Sequence, residues 1–100
     1  MRLSNRQKEI IGNTAIRHFG EGVRVYLFGS RTRSDQKGGD IDLLLEGVQS
    51  EQMNIRKKAA LIVDLKKLLG DQKIDVVFRN AENQDSAFMQ VVDKSKIRLC

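Results

Sequence analysis

The sequence predicts a small α/β fold, a mixed β-sheet packed with helices, and three observations predict it. Three short strand-like runs stand out: residues 23–28, rich in β-branched and aromatic residues, Asp40–Glu46, whose side chains alternate, and Lys73–Phe78. Between and around them, apolar residues recur every three to four positions, the period of an amphipathic helix. Glycines stand where those helical patterns stop, at Gly20 and Gly70. A length of 100 residues suits one domain, 1–100, with one core and no room for a second substrate-holding unit.

Each element has a local reason. Ser4 and Gln7 form a capping box at the start of a first helix, in which Ile11, Ala15 and Phe19 follow at spacings of four with Ile16 alongside. After Gly20, the run 23–28 is the first strand. The second strand, Asp40–Glu46, alternates, so Asp40 and Asp42 share one face while Ile41, Leu43 and Leu45 occupy the other. Ser50 is placed to cap a long second helix with the stripe Leu61, Ile62, Leu65, Leu68 and Leu69, and Lys58 falls on the same face one turn earlier. Lys73–Phe78 is the third strand, with Asp75 and Val77 opposed to Ile74, Val76 and Phe78. A last helix starts near Asp85 or Ser86 and is expected to bury Phe88, Val91 and Val92. Residues 97–99 are expected to add a short edge strand.

Composition narrows the function classes. A hydrophobic fraction of 40% with 31% charged residues is that of a soluble globular chain. A formal charge of +5, from 18 basic and 13 acidic residues, favours phosphate-bearing partners, although charge alone is a weak guide. The chain has no long apolar segment for a membrane span and no secretory pattern at its start, and its one cysteine, Cys100, permits no internal disulfide. A cytoplasmic location and no membrane partner are the expectation.

The chemistry concentrates in LFGSRTRSDQKGGDIDLLL, residues 27–45. Two carboxylates at i and i+2 of a strand point the same way, roughly 7 Å apart. A lone Asp-x-Asp reads most simply as a turn end and a solvated edge. On a partly buried face, however, like charges push one another toward protonation, and a divalent cation offsets that. An oxygen-only, open set of ligands suits Mg²⁺. Asp75 would supply a third carboxylate if its strand is a neighbour, and three carboxylates can serve in-line displacement at phosphorus.

Gly29-Ser30 follows a strand directly. Glycine lets the backbone approach a ligand, the next amides can form an anion-binding concavity, and the Ser30 hydroxyl can donate to a phosphate oxygen. Arg31 and Arg33 can balance its charge. By themselves these residues read equally well as an ordinary turn with a solvated surface, and no Gly-Lys-Ser/Thr follows to make a Walker loop.

Taken together, GSRTRSDQKGGDIDLLL resembles the nucleotidyltransferase motif of the DNA polymerase beta superfamily: a Gly-Ser-Arg turn, about ten residues, then Asp-x-Asp. KIDVVF is similar to that superfamily's third-aspartate strand, and the length resembles the minimal nucleotidyltransferase (MNT) group. The resemblance implies that Gly29, Ser30, Arg31 and Arg33 bind the nucleotide. It implies that Asp40, Asp42 and Asp75 are metal ligands and catalytic, with Asp75 helping to activate the attacking hydroxyl. Ser34, where the family usually has glycine, and Gly39, where it has serine or threonine, depart from the pattern without removing a metal ligand. The implied activity is transfer of AMP from ATP with Mg²⁺ to a hydroxyl, such as a tyrosine of a HEPN-type toxin, with the chain as antitoxin and a homo- or hetero-oligomer as its assembly.

A pure binding module of the same fold, neutralising its partner by occlusion, is the alternative. A basic nucleic-acid binder is weaker still, because four Phe and one Tyr are too few to interleave with the lysines. His18, at the end of the first helix, is expected on the surface, where positive charge suits a helix C-terminus. Lys57-Lys58 and Lys66-Lys67 are expected as a solvated face, and Met53 and Met89 as core or interface filler. Acceptor, base preference and oligomeric state are not legible in the sequence.

Overall fold

The computed structural model describes residues 3–29 and 40–100. Its elements run α1 (Asn5–Phe19), β1 (Arg24–Phe28), β2 (Asp40–Glu46), α2 (Ile55–Leu69), β3 (Lys73–Phe78), α3 (Ala87–Ser95) and β4 (Ile97–Arg98), with a short 3₁₀ turn at Ser50–Gln52 between β2 and α2. The sheet order is β3-β2-β1-β4. β1 pairs antiparallel with β2 and with β4, while β2 and β3 are parallel, which makes the sheet mixed.

Local sequence explains the boundaries. Ser4 accepts a hydrogen bond from the Gln7 backbone N–H while the Gln7 side chain accepts one from Ser4 N–H, so the capping box forms. Gly20 and Gly70 close α1 and α2. The start of α2 differs from expectation. Asn54, not Ser50, is its N-cap and accepts from the Lys57 N–H. Ser50 instead opens the 3₁₀ turn, because Asn54 offers an equally good cap nearer the apolar stripe.

One face of the sheet carries α1 and α2. Ile11, Ala15 and Phe19 from α1 and Leu61 and Leu65 from α2 pack on Val25, Leu27, Ile41, Leu43, Leu45, Ile74, Val76 and Phe78. Phe19 and Phe78 meet edge to face at 5.6 Å between centroids. The other face has a smaller core of Phe28, Leu44, Met89 and Val92 beneath α3. β2 lies between β1 and β3 and is covered on both faces, which is why Leu43, Leu44 and Leu45 are all fully buried.

Four expectations about side chains are corrected. In α3, Met89 and Val92 are buried, whereas Phe88 and Val91 are 50% and 66% exposed. Met89 and Val92 are one helical turn apart, and so are Phe88 and Val91, so only one of the two pairs can face the sheet. Leu68 is likewise half exposed, while its neighbour Leu69 packs against the core. Lys57 and Lys58 are not simply solvated. Lys57 donates to the His18 carbonyl and lies over the Phe19 ring, and Lys58 lies over Phe78. His18 itself is held at 2.7 Å from Asp64 of α2, with only 15% of its side chain exposed.

Candidate functional site

β2 determines the site because its side chains alternate. Asp40, Asp42, Leu44 and Glu46 all face α3's side of the sheet. The register then sets their neighbours. Asp42 lies between Phe28 of β1 and Asp75 of β3, and Asp40 lies opposite Lys73. Strands in a sheet are about 4.8 Å apart, so Asp42 and Asp75 are immediate lateral neighbours at one end of the sheet. Asp42 is half-buried, and Asp40 and Asp75 are exposed.

Electrostatics at this end are repulsive. Burial raises the pKa of Asp42, and the negative charges of Asp75 and then Asp40 raise it further, with Lys73 working against them. The far end of the same strand is the opposite case. Glu46 receives hydrogen bonds from Lys96, Arg79 and, at 3.4 Å, Arg24. Burial pushes the Glu46 carboxyl up, but the bonds from Lys96, Arg79 and Arg24 outweigh it and hold the pKa below the usual range. Asp93 joins this cluster through Arg79 and Lys96. The fold surrounds Glu46 with cations and leaves Asp42 among carboxylates.

Gly29 follows β1 and adjoins this row. Its φ is +81°, in the left-handed region, and a Cβ built on it would fall on the Asp42 carboxylate oxygen Oδ2. Both facts require glycine, and the second brings backbone and carboxylate into direct contact. Ser30, Arg31 and Arg33, together with Ser34 and Gly39, lie outside the described residues.

Two residues at the site were not singled out from the sequence. Lys73 opens β3 opposite Asp40 and shares the carboxylates' face, which only the strand pairing reveals. Phe88, expected in the core, stands half exposed against Phe28, the neighbour of Asp42.

A family model described as "Nucleotidyltransferase domain" matches residues 11–98. The chain belongs to that family. No curated protein sequence matches it. Among solved structures, a mutant of the MntA-HpeT toxin–antitoxin complex is similar with a TM-score of 0.70 at 18% identity, covering 98% of this chain and 73% of that one. A toxin–antitoxin complex with AMP-PNP gives a TM-score of 0.66 at 19% identity, over 98% and 73% of the two chains. A complex of MNT antitoxin with tri-AMPylated HEPN toxin from Shewanella oneidensis gives 0.60 at 20% identity, over 93% and 71%. These likenesses establish a shared nucleotidyltransferase fold.

The donor set suits a hard divalent cation, since it is oxygen only and its central carboxylate is disfavoured as an anion. Among the described residues, no three acidic, histidine or cysteine side chains enclose a metal position on their own. One or two carboxylates plus substrate phosphates is the ordinary Mg²⁺ arrangement. No helix among the described residues is long and apolar enough to cross a membrane.

Proposed function

We propose that this nucleotidyltransferase domain transfers AMP from ATP to a hydroxyl of a protein acceptor, a tyrosine of a HEPN-type partner, and thereby acts as an antitoxin. The observation that carries the reading is the in-register pair Asp42 and Asp75, with Asp40 one alternation earlier and Gly29 against Asp42. The AMP-PNP bound in one fold neighbour and the AMPylated HEPN toxin in another support the choice of nucleotide and partner.

Asp40, Asp42 and Asp75 would hold Mg²⁺, which when bound supplies charge neutralisation for the phosphates and the transition state. Gly29, with Ser30, Arg31 and Arg33, seats the triphosphate. Asp75, exposed at the row's outer side, accepts the proton of the acceptor hydroxyl. The acceptor oxygen forms a bond to the α-phosphorus as the bond to the β-phosphate oxygen breaks, and pyrophosphate leaves with that electron pair. Lys73 lies on the same face to balance phosphate charge. Catalysis rests mainly on position and electrostatics.

The test is intact mass of a purified HEPN partner after incubation with this chain, ATP and Mg²⁺. Addition of AMP that disappears with Asp42→Asn is the expected result. A partner that is neutralised without gaining mass, equally by wild type and Asp42→Asn, would make the domain a binding module instead.

A further inference from the structure

An exposed aromatic ring at the edge of a carboxylate row has to be accounted for. Phe28 is 8% exposed and is the Cα partner of Asp42, so its side chain lies beside that carboxylate on the same face. Phe88, in the first turn of α3, packs on Phe28 with centroids 5.9 Å apart and planes at 84°. In an edge-to-face pair only one ring offers a face to the other, so at least one face of Phe88 is left uncovered by Phe28. The ring is 50% exposed. The core under α3 is closed by Met89 and Val92 without it. A half-exposed aromatic ring is therefore held, by a buried partner, one side chain away from the proposed phosphate and metal end of the site.

We propose that Phe88 is the platform on which the nucleobase of the bound nucleotide stacks. The inference rests on the nucleotidyltransferase reading above. The carboxylates, Gly29 and Lys73 meet the charged part of a nucleotide, whereas a phenyl ring offers no hydrogen bond and no charge. The part of a nucleotide that gains from such a surface is the flat face of its base, and stacking of this kind is tolerant of base identity. Phe88 thus contributes affinity for nucleotides over bare polyphosphates.

Calorimetry with ATP and with inorganic triphosphate, each with Mg²⁺, tests this on wild type, Phe88→Ala and Phe88→Trp. Phe88→Ala should weaken ATP binding about tenfold and leave triphosphate binding unchanged. Phe88→Trp should retain ATP affinity. Since the chain contains no other tryptophan, its fluorescence should respond to ATP and stay constant with triphosphate. Unchanged ATP affinity in Phe88→Ala, with wild type binding ATP, overturns the platform alone and leaves the nucleotide site standing. Equal weakening of both ligands also overturns it, because the ring would then act through the shape of the carboxylate row. Wild type that binds neither ligand removes the nucleotide reading and the platform with it.

Discussion

Asp42 carries more conflicting demands than any other described side chain. It is half-buried beside Phe28, flanked by Asp75, preceded by Asp40 and pressed against Gly29. An arrangement that raises a carboxylate's pKa stores unfavourable energy in the folded state whenever that carboxylate is ionised. Such a site works against stability and favours cation binding. Replacing Asp42 with Asn keeps the shape and removes the charge. In metal-free neutral buffer, Asp42→Asn should unfold at the same temperature as wild type or slightly higher, while losing nucleotide transfer. A fall of several degrees in thermal unfolding would instead give the Asp42 carboxylate a structural role.

At the scale of elements, β2 joins two electrostatic environments through one buried stretch. Its near end presents Asp40 and Asp42, its middle buries Leu44 under α3, and its far end presents Glu46 to Arg79 and Lys96. Arg79 follows β3, and Lys96 with Asp93 belongs to the end of α3, so this cluster fastens α3 to the sheet. Glu46→Gln should destabilise the fold by about 2 kcal/mol at neutral pH, since the side chain is 13% exposed and serves charged donors. The folded pKa of Glu46 is depressed, so its contribution is present above the ordinary value of 4.5 and is lost as pH falls through the folded value. Unfolding curves of wild type and Glu46→Gln should therefore converge in acid. A gap that persists undiminished at pH 2 would show that packing, not charge, makes the difference.

The whole molecule shows which parts of this design a sequence can carry. β2 and β3 were legible to the residue, because alternation and β-branched runs are local signals, and so was the Ser4 capping box. The inward face of α3 was not legible. Its four apolar residues in five positions fit either orientation, and only the sheet beneath chooses Met89 over Phe88. Nor could the sequence place Lys73 beside Asp40 or Glu46 among three cations, because those neighbours come from strand pairing and from residues up to fifty positions away.

The same dependence on long-range pairing gives a prediction for the molecule as a whole. The proposed site is assembled from β1, β2 and β3, so it exists only in the folded chain, and any ligand bound there must stabilise all of it. At a ligand concentration about tenfold above Kd, linkage adds roughly 1.4 kcal/mol. For a chain of this size that raises Tm by about 6–11 °C. ATP with Mg²⁺ should produce such a rise in wild type. ATP with a chelator should produce much less, because phosphates would then meet the Asp42 and Asp75 carboxylates without a cation between them. Asp42→Asn should respond weakly to the first condition and relieve part of the repulsion in the second, so the two conditions should lie closer together than in wild type. Thermal unfolding of both proteins in both conditions measures this directly. An equal rise with and without the chelator, in both proteins, would mean that ATP binds away from the carboxylate row and that the site is not the one built on β2.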